Sequence, residues 1–211
     1  MRRGCYAGRM QHRSIEPDRE PLPIAERAAD NLRFIRSAME GSSRFTDISG
    51  LGMVLIGASA LAATVVASHE LSLLARATIW ELEAAIAITI GLLATLQKAG
   101  ARRSLLLGGP ARKFALGFVP ALAAGGILTI VLQRAGLFAL LPGTWLVVYG
   151  AAVANAGAFS TRLIPAIGFS FMAVGVLTFL VPDAWSNALL GVGFGGLHIA
   201  FGALIARRYG G

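Results

Sequence analysis

The segment Ala184 to Ala206 runs for 23 residues without a Lys, Arg, Asp or Glu and is closed by Arg207 and Arg208. As a helix rising 1.5 Å per residue it is long enough to cross the ~30 Å hydrocarbon core of a bilayer. Asn187, Gly191, Gly195, His198 and Gly202 recur within it at i, i+4, i+8, i+11 and i+15, so they share one helical face. Gly193, Gly196 and Ala200 make a second small face, and Phe194, Leu197, Phe201 and Leu204 a bulky third. Lipid tails are as apolar as leucine, so small residues in a membrane helix mark where neighbouring backbones come close. Gly191, Gly195 and Gly202 are therefore expected to be packing positions, on a helix enclosed on most sides.

The rest of the chain has the same character. Hydrophobic residues make up 55% of the 211 and charged residues only 14%, against ~25% charged in soluble domains. The expected fold is all-α and polytopic, with six spans at about 49–68, 77–97, 114–132, 138–159, 163–181 and 186–206. They are read as three successive hairpins. Pro120 falls in the first two turns of the third span, where a local kink is expected. Pro142-Gly143 is expected to interrupt the fourth. Matching fragments such as Gly126-Ile-Leu-Thr129 and Gly175-Val-Leu-Thr178 are compatible with a parallel repeat of the last two hairpins, or with chance among apolar residues.

The charges then orient the chain. With both ends cytoplasmic, 17 of the 19 Lys and Arg residues lie inside, and only Arg76 and Arg134 lie outside. That asymmetry fits the positive-inside rule, and the reverse orientation violates it. It also accounts for the net charge of +8 without any need for nucleic acid, which is not an expected partner. The first apolar run begins after residue 40, so the first span is expected to serve as its own insertion signal.

Residues 1–23, with Pro17, Pro21 and Pro23, read as a disordered cytoplasmic tail, in which Met1 and Met10 are alternative starts. Residues 24–48 follow as an amphipathic helix and linker. Ile24, Ala28, Leu32, Ile35 and Met39 line one face, and Gly41 is a stop. Such a helix either lies on the membrane surface or docks on the cytoplasmic end of the bundle. A second reading is a docking segment, residues 24–40, for a cytoplasmic protein. The lipid bilayer and further copies of the chain are the other partners considered.

Candidate chemistry is confined to a few polar groups in the spans: Glu83, His198, Asn187 and Asn155. A charged carboxylate at membrane depth costs ~2.5 kcal/mol or more, so Glu83 must be paired, protonated or water-facing. Glu83 aligns with Ala87, Gly91 and Ala94 on a small face suited to burial, which adds Gly91 to the packing positions. Glu81 aligns with Ala85, Ile88 and Leu92, nearer the headgroups. Trp80 suits the interfacial aromatic belt. By helical rise Glu83 and His198 differ in depth by ~9 Å, too far for a direct hydrogen bond. Each has a functional reading, as a proton, cation or solute site, and a structural one, as a group satisfied between helices. Tyr149, Asn155, Ser170 and Asn187 are candidates to bridge helices.

Other patterns fail on context. Gly191-Val-Gly-Phe-Gly-Gly196 matches a dinucleotide fingerprint but follows no strand and has no acidic partner about 20 residues on. His69-Glu70 lacks the second histidine of a zinc-protease helix, because position 73 is leucine. The single cysteine, Cys5, excludes an internal disulfide. No catalytic residue, cofactor or metal site is expected.

Three stretches, Arg33 to Gly57, Trp80 to Leu93 and Gly193 to Gly211, resemble a group of small bacterial six-span proteins to which no activity is attached. The resemblance implies a bacterial inner-membrane address and no substrate. The expected function is a non-enzymatic sensory or accessory subunit. The alternative is a small secondary transporter or channel using Glu83 and His198.

Overall fold

A computed structural model describes residues 29–35, 49–99, 109–158 and 163–209. Of these residues 93% are helical and none is in a strand. Six helices are long and apolar enough to span a membrane. We label them α1 (Gly50–Ser68), α2 (Leu73–Ala99), α3 (Gly109–Arg134), α4 (Leu141–Gly157), α5 (Leu163–Leu180) and α6. The last is continuous through Ser186–Leu190, Gly191–Leu197 and His198–Tyr209.

Residues 29–35 belong to a separate unit that ends at Met39. They form a helical stretch with an Asp30–Arg33 ion pair of 2.9 Å. Leu32 and Ile35, two of the five apolar positions expected to share a face, are exposed there. Ile24, Ala28, Met39 and the tail 1–23 lie outside the described residues, as do most of the basic loop 100–108 and Arg162.

Local chemistry sets the helix ends. Ser49 caps α1 by accepting the Gly52 N–H at 3.1 Å, satisfying one donor that the first turn leaves open. Helix α3 ends on Gly136, whose φ of +72° is open to glycine at little cost. There Leu137 N–H reaches the Leu132 carbonyl and Gly136 N–H the Gln133 carbonyl, each at 2.9 Å, a glycine-terminated cap.

The helix bounds differ from expectation in three places. Helix α2 starts at Leu73 and α3 at Gly109, each about a turn before the expected span. Pro142 does not interrupt α4. A 3-10 turn, Phe138–Leu140, leads in, and Pro142 sits in the first turn of the helix, where its missing N–H costs nothing. The section Gly191–Leu197 of α6 is wound as a π-helix, which was not foreseen. Four of its seven residues are glycine, and the wider turn needs little side-chain accommodation.

Small residues bring backbones together. A Cβ on Gly57 of α1 would stand 2.6 Å from the Gly195 carbonyl oxygen and 2.9 Å from Ile199 N of α6. One on Gly202 would stand 2.8 Å from the Gly50 oxygen. The α4–α5 pair is just as close, with Gly150 and Gly168 facing each other's backbones. This tightest pairing runs across the boundary between the second and third expected hairpins. Gly191 meets the Thr64 side chain, whereas Gly91 has only Ile56 Cδ1, at an ordinary 3.6 Å. The second small face of α6 packs only in part: Gly193 is buried against the Leu146 side chain, whereas Gly196 and Ala200 are exposed and nothing lies near Gly196.

Helix α6 is the most enclosed, with 39% of its apolar span buried within the protein, against 11% for α2 and 6% for α3. Leu116, Val119, Ile127 and Ile130 of α3 point outward, as a lipid-facing helix requires. The core forms around Leu146 of α4, Phe171 of α5 and Leu190 of α6, all essentially inaccessible.

Candidate functional site

The inner face of α2 carries Ala77, Trp80 and Glu83, all buried, at intervals of three that keep them on one stripe. Glu81, two positions from Glu83, is exposed and accepts a hydrogen bond from Nε2 of Gln133 on α3. The two carboxylates thus part as their helical phase dictates. Trp80, expected in the interfacial belt, instead turns inward at 5% exposure.

Its indole explains the difference. Trp80 Nε1 donates to Asn187 Oδ1 at 3.0 Å, and Asn187 Nδ2 donates to the Thr64 carbonyl at 3.0 Å. An indole N–H can only donate and a carbonyl can only accept, so the amide orientation of Asn187 is set by its partners. One side chain on α6 thereby ties α1 and α2. The Thr64 hydroxyl takes no part, bonding back to the Ala60 carbonyl of its own helix.

Glu83 faces Ser59 on α1, with Oε1 at 2.8 Å from the serine hydroxyl. The same hydroxyl lies 2.9 Å from the Ile56 carbonyl. The Ser59 hydroxyl has one hydrogen and two acceptors within reach, Glu83 Oε1 and the Ile56 carbonyl, so it donates to one or is shared between both.

His198, also buried, makes two bonds. Nδ1 lies 2.9 Å from the Phe194 carbonyl and Nε2 lies 2.8 Å from the Tyr149 hydroxyl. The carbonyl must be an acceptor, so Nδ1 carries the hydrogen. In the neutral ring Nε2 then accepts from Tyr149. The backbone N–H of His198 turns to the Gly195 carbonyl, at the end of the π-helical section. Around this pair stand Phe171, 4.8 Å from Tyr149 between ring centroids, and Phe194, 5.3 Å from it, both tilted edge-on.

Asn155 lies apart, donating from α4 to the Gly117 carbonyl of α3 at 3.0 Å. Of the four bridging candidates, Tyr149, Asn155 and Asn187 do join helices. Ser170 does not; its hydroxyl returns to the Ala166 carbonyl of its own helix.

Glu83, His198, Asn187 and Asn155 therefore occupy four separate networks, and no hydrogen bond among the described residues joins Glu83 to His198. The sequence reading missed Ser59, Thr64 and Phe194 as partners. All three act through a backbone carbonyl or a small hydroxyl, which carry no signal in composition. Among the described residues no three His, Cys, Asp or Glu side chains cluster to hold a metal.

At the end of the bundle where α2, α4 and α6 begin there is a partly open cavity of about 30 Å³. Arg76, Trp80, Trp145, Asp183, Ser186 and Asn187 supply its polar and aromatic lining. Arg76 stands 4.0 Å from Asp183. Trp145 is held by a 2.9 Å bond from its Nε1 to Thr129 Oγ1 on α3.

No family model matches the chain, and neither does any curated protein or solved structure.

Proposed function

We propose that this is a non-enzymatic integral membrane protein of the bacterial inner membrane, a sensory or accessory subunit with both termini cytoplasmic. In this reading its six spans insert as three hairpins. The amphipathic segment 24–40 engages a cytoplasmic partner, and copies of the chain can associate through the lipid-facing helices. One observation carries the reading: each intramembrane polar candidate is committed to a neighbouring helix, and they do not converge on a shared site. Such bonds average ~0.6 kcal/mol in membrane proteins, a useful cross-link and a modest energy.

A second reading, a small proton-coupled carrier or channel using Glu83 and His198, has one specific observation in its favour. The Ser59 hydroxyl has two acceptors within reach and one hydrogen, so a proton leaving Glu83 would rearrange its partners.

Reconstitution into liposomes separates the two. The accessory reading expects proton flux no greater than in protein-free vesicles, for wild type and for Glu83→Gln alike. Flux in the wild type that disappears in Glu83→Gln would replace it with the carrier reading.

A further inference from the structure

The cavity between α2, α4 and α6 holds an ion pair, Arg76 and Asp183, whose two charged groups do not hydrogen-bond to each other. The Arg76 side chain, 24% exposed, makes no hydrogen bond among the described residues, and its Nε is fully buried without a partner. Its distance of 4.0 Å from Asp183 is well beyond the ~2.7–2.9 Å of a charge-assisted hydrogen bond. Asp183 Oδ1 accepts from the Ser186 hydroxyl at 3.2 Å, leaving Oδ2 toward the guanidinium. A guanidinium offers five donors, and leaving a buried one unpaired is unfavourable.

A simple anion would satisfy Arg76 and be repelled by Asp183. A simple cation would do the reverse. A molecule bearing both charges a few ångströms apart satisfies both. The walls are already in place: Trp80 and Trp145 line the cavity with their N–H groups bonded to Asn187 and Thr129, and an aromatic lining suits a bound ammonium. The cavity volume of about 30 Å³ holds two or three waters at ~10–15 Å³ each, so it admits the polar end of a ligand whose remainder stays outside. The opening lies at the bundle end where the spans meet the interface.

We propose that this cavity binds an aminoalkyl phosphate, with the phosphate on Arg76 and the ammonium beside Asp183, as in the headgroup of a zwitterionic phospholipid of the adjoining leaflet. The same chemistry exists in free phosphoethanolamine, and the two sources are separable. The site goes beyond the accessory reading and does not depend on whether the protein moves protons. A bound head would touch α2, α4 and α6, and through Asn187 it would bear on α1.

The test uses the full chain in detergent micelles, with thermal stability and native mass spectrometry as readouts. The probes are short-chain phosphatidylethanolamine, short-chain phosphatidylglycerol and free phosphoethanolamine. Phosphatidylethanolamine is expected to raise the melting temperature and remain bound at a concentration about tenfold lower than phosphatidylglycerol, the ratio one charged hydrogen bond supplies. Arg76→Gln should abolish the preference and most of the binding. Asp183→Asn should keep phosphate binding but make the two lipids equal, and this variant carries the test if Arg76→Gln does not fold. Arg134→Gln, the other cation at this end, should change nothing. Competition by free phosphoethanolamine at similar concentration would assign the site to a soluble zwitterion. Equal retention of both lipids by wild type, or Arg134→Gln weakening binding as much as Arg76→Gln, would overturn the proposal.

Discussion

The hydroxyl of Tyr149 on α4 lies 2.8 Å from Nε2 of His198 on α6, and this bond joins two helices in the middle of an aromatic cluster. Tyr149→Phe keeps the ring contacts and removes only the hydroxyl. Melting in detergent should fall by the equivalent of ~1 kcal/mol, as for a membrane hydrogen bond. Combined with His198→Ala, the losses should be less than additive. Additive losses would mean that the bond does not form.

Gly57 and Gly196 provide an opposed pair of alanine substitutions. A Cβ on Gly57 would meet backbone atoms of α6 at 2.6 and 2.9 Å, which have no rotamer to escape into. Gly57→Ala should therefore cost ~1–3 kcal/mol. Gly196→Ala enters open space and should be neutral or stabilising by up to ~1 kcal/mol from helix propensity. Similar melting temperatures for the two variants would refute the α1–α6 packing described.

Asn187 can be dissected by charge. Asn187→Asp can still accept from Trp80 but cannot donate to the Thr64 carbonyl, while Asn187→Leu loses both bonds. Each should lower stability by ~1–2 kcal/mol. Asn187→Leu alone should shift the emission of Trp80, measured with Trp145 and Trp185 replaced by Phe. An unchanged spectrum in Asn187→Leu would show the indole to be unbonded.

Glu83→Gln should stay within ~0.5 kcal/mol of wild type, because the amide oxygen can accept from the Ser59 hydroxyl as Glu83 Oε1 does. Ser59→Ala should cost ~1 kcal/mol by leaving the Glu83 side chain buried without its partner. A collapse of Glu83→Gln with an intact Ser59→Ala would reverse this assignment.

Orientation can be read with single cysteines in a Cys5→Ser background. Leu137→Cys, exposed in the turn before α4, should react with an impermeant maleimide applied to intact cells. Arg207→Cys should react only after permeabilisation. The opposite pattern would invert the topology.

The six spans were readable in the sequence because each needs about 20 apolar residues, and only a helix satisfies its own backbone in lipid. The divergence of Glu81 and Glu83 was readable too, since residues two apart lie ~200° apart on a helix. Periodicity also marked Gly195 and Gly202 as close-packing positions and left Gly196 wrongly among them, because phase says which residues share a face and not which faces meet another helix. Trp80 shows the same limit more sharply. Its place near a span end suggested the interface, but its indole is taken inward by Asn187, 107 positions away in the chain. On other helices, the partners of Glu83, His198 and Asn187 are a serine hydroxyl, a tyrosine hydroxyl, and a threonine carbonyl with a tryptophan indole. Hydropathy and spacing determined how many helices there are and which residues each turns the same way. Only the tertiary structure decided which helices touch, and with them which buried donor meets which acceptor, because those pairings depend on contacts between distant segments that no local pattern encodes.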